Sequence, residues 1–132
     1  MDEFIEDETS VLVATMGFWE GIDVPGRALE LVILDRLPFP RPDDPLWEAR
    51  RERATSRKQN AFMAVDLPRA AMLAAQGAGR LIRSLDDRGV VALLDSRVAK
   101  RRYGGIVVGS LPPMQPTTDR REVERFLRQD RV

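Results

Sequence analysis

Cysteine and histidine are both missing from the 132 residues. Their absence rules out disulfides, an iron–sulfur cluster held by this chain, a zinc site of the usual ligands and a catalytic imidazole. No apolar run approaches the roughly 20 residues that cross a bilayer. The acidic start, Met1-Asp2-Glu3-Phe4-Ile5-Glu6-Asp7-Glu8, lacks the basic flank of a secretory signal. The expected location is therefore the cytosol, without a membrane partner. An excess of one charge is lacking too: Lys+Arg and Asp+Glu are equal at 21 each, so overall charge names no polyanion. No Gly-x-x-x-x-Gly-Lys-Ser/Thr loop occurs, and no Asp-Glu-x-His run. No Gly-x-Gly-x-x-Gly follows a predicted strand, which argues against a generic dinucleotide-binding domain.

What is present suits one globular domain over residues 1–132, with an acidic lead at 1–8 in which no regular structure is expected. Hydrophobic residues make up 43% and charged residues 32%, a balance that supports a single core. Four short apolar runs read as strands buried on both faces: Val11-Leu12-Val13-Ala14, Leu31-Val32-Ile33-Leu34, Val90-Val91-Ala92-Leu93-Leu94 and Ile106-Val107-Val108. A polar stretch from Leu46 to about Lys58 and a periodic one from Leu67 to Ser84 read as helices. That alternation predicts an α/β fold with a mainly parallel sheet. In the second helix Asp66 is the expected cap, Pro68 falls in the first turn, and Ala74, Ala78, Leu81, Ile82 and Leu85 form the apolar stripe. A last helix is expected from Asp119, with Glu122 as capping partner and Val123, Phe126 and Leu127 as its apolar face. Prolines 38, 40, 42 and 45 mark one extended loop.

Three groups of residues stand out chemically. In Gln76-Gly77-Ala78-Gly79-Arg80-Leu81-Ile82-Arg83, each interior glycine costs a helix about 1 kcal/mol against alanine. At helical spacing Gln76, Gly79 with Arg80, and Arg83 share one side, where small residues admit a nucleotide or another chain. The alternative is that the glycines serve helix-to-sheet packing and the arginines are solvated. The second group, Thr15-Met16-Gly17-Phe18-Trp19-Glu20-Gly21-Ile22-Asp23-Val24-Pro25-Gly26, follows the first expected strand, where open α/β sheets bind ligands. There Glu20 and Asp23 can accept hydrogen bonds, and Phe18 and Trp19 serve either as core or as a base-stacking surface. The third is a pair of basic stretches, Arg50-Arg51-Arg53-Arg57-Lys58 and Arg97-Lys100-Arg101-Arg102. Either could lie against phosphates, although a solvated face is the plainer reading.

The first two groups resemble motifs VI and V of superfamily 2 helicases. Phe-Trp-Glu-Gly-Ile-Asp-Val-Pro-Gly is a narrow version of motif V, and Gly-Arg-Leu-Ile-Arg-Ser a narrow version of motif VI. With Leu37-Pro38-Phe39-Pro40-x-Pro42, Leu94-Asp95-Ser96-Arg97 and Tyr103-Gly104, they resemble the DinG/XPD group of DNA helicases from about residue 9 to 128. The resemblance implies a RecA-like second motor domain, truncated on its N-terminal side. It implies an ATP and Mg2+ site shared with a first motor domain, which supplies the phosphate loop in cis or in trans. Arg80 and Arg83 would then reach the γ-phosphate, with Gln76 positioning nucleotide or water. Glu20, Gly21, Asp23 and Gly79 would contact ATP or couple it to single-stranded DNA, and Phe18 and Trp19 would touch the DNA. No metal ligand is expected in this chain, which alone should not turn over ATP. A second reading is a free-standing, non-catalytic nucleotide- or nucleic-acid-binding module that pairs with another chain. An unpaired sheet edge is expected to invite self-association.

Overall fold

A computed structural model of the chain describes residues 2–7, 9–18, 24, 28–82 and 87–129. Two strands, β1 (Leu31–Leu34) and β2 (Val90–Leu93), pair in parallel with Leu31 opposite Val90 and Leu34 opposite Leu93. Between them run α2 (Pro45–Ser56) and α3 (Leu67–Gly79). The expected alternation of strand, helices and parallel strand is therefore present, in a sheet of two strands among the described residues. The remaining helices are α1 (Asp2–Glu6), in what was expected to be an irregular lead, α4 (Arg97–Lys100), α5 (Gly104–Ser110) and α6 (Arg120–Arg128).

The core forms where α3 and α5 meet one face of β1. Val32, Leu34, Leu37, Leu67, Ala74, Leu81 and Val107 make one buried cluster. The buried side of α3 is mostly alanine (Ala70, Ala71, Ala74, Ala78), which lets the helix backbone lie close to its neighbours. The other face of β1 is open, with Leu31 at 38% and Ile33 at 52% exposure, so burial on both faces does not hold for this strand.

Two of the four expected strands take other forms. Val11-Leu12-Val13-Ala14 has no regular structure, and Val11 and Val13 are 85% and 91% exposed. A strand needs a neighbour for its N–H and C=O groups, and no described strand pairs with this segment. Ile106-Val107-Val108 lies inside α5, with Val107 fully buried. Packing decides this case: Gly104 opens α5 so close to α4 that a β-carbon there would overlap the Val98 carbonyl. A three-residue apolar run carries no period of its own to resist that docking.

The helix boundaries also differ. Asp44 caps α2, its side chain accepting the Leu46 N–H at 3.0 Å, with Pro45 in the first turn. The helix stops at Ser56 because Lys58 turns left-handed, φ 58°, and the Gln59 N–H donates back to the Ala54 carbonyl at 3.0 Å. The next helical run starts at Asn60, not Asp66: Asn60 Oδ1 accepts the Met63 N–H at 3.0 Å. Residues Phe62–Asp66 form a wide π turn that leads directly into α3. Pro68 has no N–H for the Ala64 carbonyl, so the ladder must open here, and a widened turn accommodates it. Asp66 is helical and caps nothing; Arg51 holds its carboxylate at 2.8 Å. Asp119 caps α6 as expected, accepting the Arg121 N–H at 2.9 Å. Glu122 instead accepts the Thr117 hydroxyl at 2.5 Å.

Candidate functional site

The glycine-bearing segment forms the end of α3. Gln76 is exposed, Gly77 and Ala78 are buried, and the helix closes at Gly79 with Arg80 as its C-cap. The expected continuation to Ser84 does not occur: residues 81 and 82 are non-helical, and Arg83 lies outside the described residues. The two glycines differ. Gly77 is packed inside the chain, whereas a β-carbon at Gly79 would meet nothing within 4 Å among the described residues. Internal packing therefore accounts for the first glycine, while no described residue packs against the second.

Arg80 is the unusual residue of this segment. Its Nε atom is shut off from solvent and has no hydrogen-bond partner, and none of the ion pairs among the described residues includes its guanidinium. A buried donor left unsatisfied costs about 1–3 kcal/mol, and more when charged. The negative end of the α3 dipole returns only about 0.3–1 kcal/mol of that. Next to it, Leu81 is 3% exposed and packs where both strands begin, since a β-carbon on Gly89 would press on its methyl groups at 2.7 and 2.9 Å and on the Glu30 carbonyl at 2.7 Å.

The second group is only partly described. Met16–Phe18 is one tight turn, and Phe18 is 46% exposed, so the core reading fails for that ring. Trp19, Glu20, Gly21 and Asp23 lie outside the described residues. Because Val11–Ala14 is not a strand here, the rule that ligands sit beyond strand ends does not apply to this loop.

At the exit ends of β1 and β2 a different cluster forms. Asp95, only 8% exposed at its side chain, accepts the Leu37 N–H at 2.9 Å from a loop 58 residues away. Its Oδ2 also accepts Arg97 Nη2 at 2.6 Å, and its Oδ1 accepts the Arg97 backbone N–H at 3.0 Å. The Arg97 side-chain bonds, chiefly, hold the Asp95 carboxyl well below the usual carboxylate range; the Leu37 and Arg97 backbone N–H groups add to this against the cost of burial. The guanidinium then lies 5.0 Å from the centre of the Phe39 ring. Phe39, Phe62 and Tyr103 pack together, with centroids 5.1 to 6.1 Å apart. Among the described residues no group of acidic side chains could hold a metal ion.

Residues 1–114 match the family model of the helicase C-terminal domain. The chain belongs to that family. This helicase C-terminal domain is 50% identical over 128 residues to the ATP-dependent helicase DinG of Mycobacterium tuberculosis, covering 97% of this chain and 19% of that protein. It is 47% identical over 127 residues to the ATP-dependent DNA helicase YoaA of Escherichia coli, covering 96% and 20%. It is also 41% identical over 112 residues to a protein of Bacillus subtilis named 3'-5' exonuclease DinG, covering 85% and 12%. The chain thus spans a fifth or less of the length of these relatives.

For this helicase C-terminal domain the DinG-like resemblance stands, and several pieces that carried it meet in space. Leu37 and Phe39, Asp95 and Arg97, and Tyr103 form one network. No joint role for them is legible in the sequence, because they lie far apart along the chain. The domain's Arg51, placed in a basic stretch, is also structural, since it binds Asp66 and reaches the Pro40 and Arg41 carbonyls, each at 3.4 Å.

Proposed function

We propose that this domain supplies the arginine half of an ATP site to a first motor domain, within a RecA-like DNA helicase acting on single-stranded DNA. The observation that carries this reading is Arg80: a charged group with an unsatisfied, desolvated Nε, beside Gly79, against which no described residue packs. A phosphate oxygen is a fitting acceptor for such a donor, and Gly79 leaves room for it to approach. ATP would supply the transferable phosphoryl group. Arg80 and Arg83 would donate to its γ-phosphate oxygens and offset the charge that spreads over them as the bond to the leaving group breaks. Gln76, exposed on the same helix end, would orient nucleotide or water. Glu20, Gly21 and Asp23 would link nucleotide to DNA, with Phe18 and Trp19 against a base. Mg2+ falls to the first domain in this scheme.

The test is ATP hydrolysis by the domain joined to a first motor domain. Arg80→Ala and Arg83→Ala should each lower kcat by roughly 10³ or more, the scale of arginine fingers elsewhere. Gly79→Ala should leave the fold as stable or slightly more so, because it removes a helix glycine without a clash, yet reduce turnover. Unchanged turnover in both arginine variants would remove the finger role. The isolated domain should hydrolyse no ATP above background.

A further inference from the structure

The first basic stretch takes a shape that its sequence alone did not indicate. Trp47, Arg50 and Arg53 follow one another at helical spacing, so they share a face of α2; Arg57, the C-cap just past its end, lines the same hollow as they and Arg69 of α3 do. There Arg50 and Arg69 bring their guanidinium carbons to 4.6 and 5.2 Å from the centre of the Trp47 ring, one from each helix. The indole thus holds two cations in place by its electron-rich face. With Arg53, Arg57 and Gln59 these residues line an open hollow of about 400 Å³.

Charge in this hollow is unmatched. Arg50, Arg53, Arg57 and Arg69 have no carboxylate partner among the described residues, whereas Arg51, on another side of α2, is fully engaged. At about 100° per residue Glu48 and Glu52 fall on the far side of α2. A protein with equal numbers of acids and bases has therefore gathered four unneutralised cations on one flank. The stripe from residue 47 to the helix end at residue 56 runs roughly 13 Å along the axis, with Arg57 just beyond it, too long for one phosphate and suited to a row of them.

We infer that the hollow between α2 and α3 is a docking track for the backbone of single-stranded nucleic acid, separate from the Arg80 site. Arginine forks pair with phosphate oxygens in two-pronged fashion, and the planar guanidinium groups offer stacking surface to unpaired bases. An acidic peptide would use the charge but not the stacking surface. The commitment to DNA as the strand rests on the motor reading above; the preference for phosphates does not.

The experiment is binding of a fluorescent oligo(dT) to the full chain, followed by anisotropy across a salt series. The assay contains neither nucleotide nor first motor domain, so its outcome stands apart from the hydrolysis test. Affinity should fall with salt, and the variant R50A/R53A/R57A should flatten the slope of log K against log salt by about two, near 0.7 for each phosphate left without its arginine. R50K/R53K/R57K should keep most of the slope, which separates charge removal from misfolding, and circular dichroism should show both variants folded. An unaltered slope and affinity in the alanine variant would overturn the proposal. So would equal binding of a blunt duplex of the same length, or displacement of oligo(dT) by polyglutamate at equal charge concentration.

Discussion

Asp95 shows how much one carboxylate can hold together. It is nearly buried, engaged by Arg97 and two backbone N–H groups, and it joins the exit of β2 to the proline loop after β1. Because its folded pKa is depressed, its contribution is complete above the ordinary carboxylate pKa of about 3.9 and is lost as pH falls below that value toward the lowered one. Asp95→Asn should therefore destabilise the fold at pH 7 by about 1–2 kcal/mol, limited by the solvent exposure of Arg97, and should narrow the gap to wild type in strong acid. Thermal melts from pH 7 down to about pH 2 check this, and a gap that stays constant would refute it. Nothing local marks Asp95 for the task, because its chief backbone partner is 58 residues away. The place of Arg80 at the end of a glycine-bearing helix was legible, but the orphaned state of its Nε was not, and its role toward a phosphate is the proposal made above.

At the scale of elements, local pattern and tertiary demand compete. The strands at 31–34 and 90–93 were readable, and so was the parallel order, because two apolar runs flank a long helical stretch. The same pattern at 106–108 became helix, since Val107 fills the core and Gly104 permits contact with α4. Asp66 followed by Pro68 imitates a helix start, yet Arg51 has first claim on that carboxylate and Asn60 does the capping. Lys58 offers a clean test at this level. A non-glycine residue in the left-handed region is strained by roughly 1–2 kcal/mol, and glycine recovers part of it against its own entropy cost. Lys58→Gly should raise stability by up to about 1 kcal/mol in denaturant titration; a loss of stability would mean the turn needs its side chain. Asn60→Ala should cost about 1 kcal/mol by removing the cap on Met63.

For the molecule as a whole, the open face of β1 is the feature that local sequence could not announce. Ile33 is 52% exposed, and Val11 and Val13, in the first expected strand, are more exposed still. A sheet of two strands among the described residues, with apolar side chains in water on one face, offers a surface for another chain. Sedimentation velocity over a tenfold concentration range should show mass rising with concentration, and Ile33→Lys should suppress the rise without loss of fold. Monomers at every concentration would count against that surface being adhesive.

The arginine flank of α2 has a consequence for motion as well as for contact. In a chain of zero net charge, the four arginines of this flank, without carboxylate partners among the described residues, form a local positive patch that would turn toward a polyanion before contact. Such a domain would arrive at a charged strand already turned the right way round, and its rate of arrival would slow as ionic strength rises even though its overall charge gives salt nothing to screen.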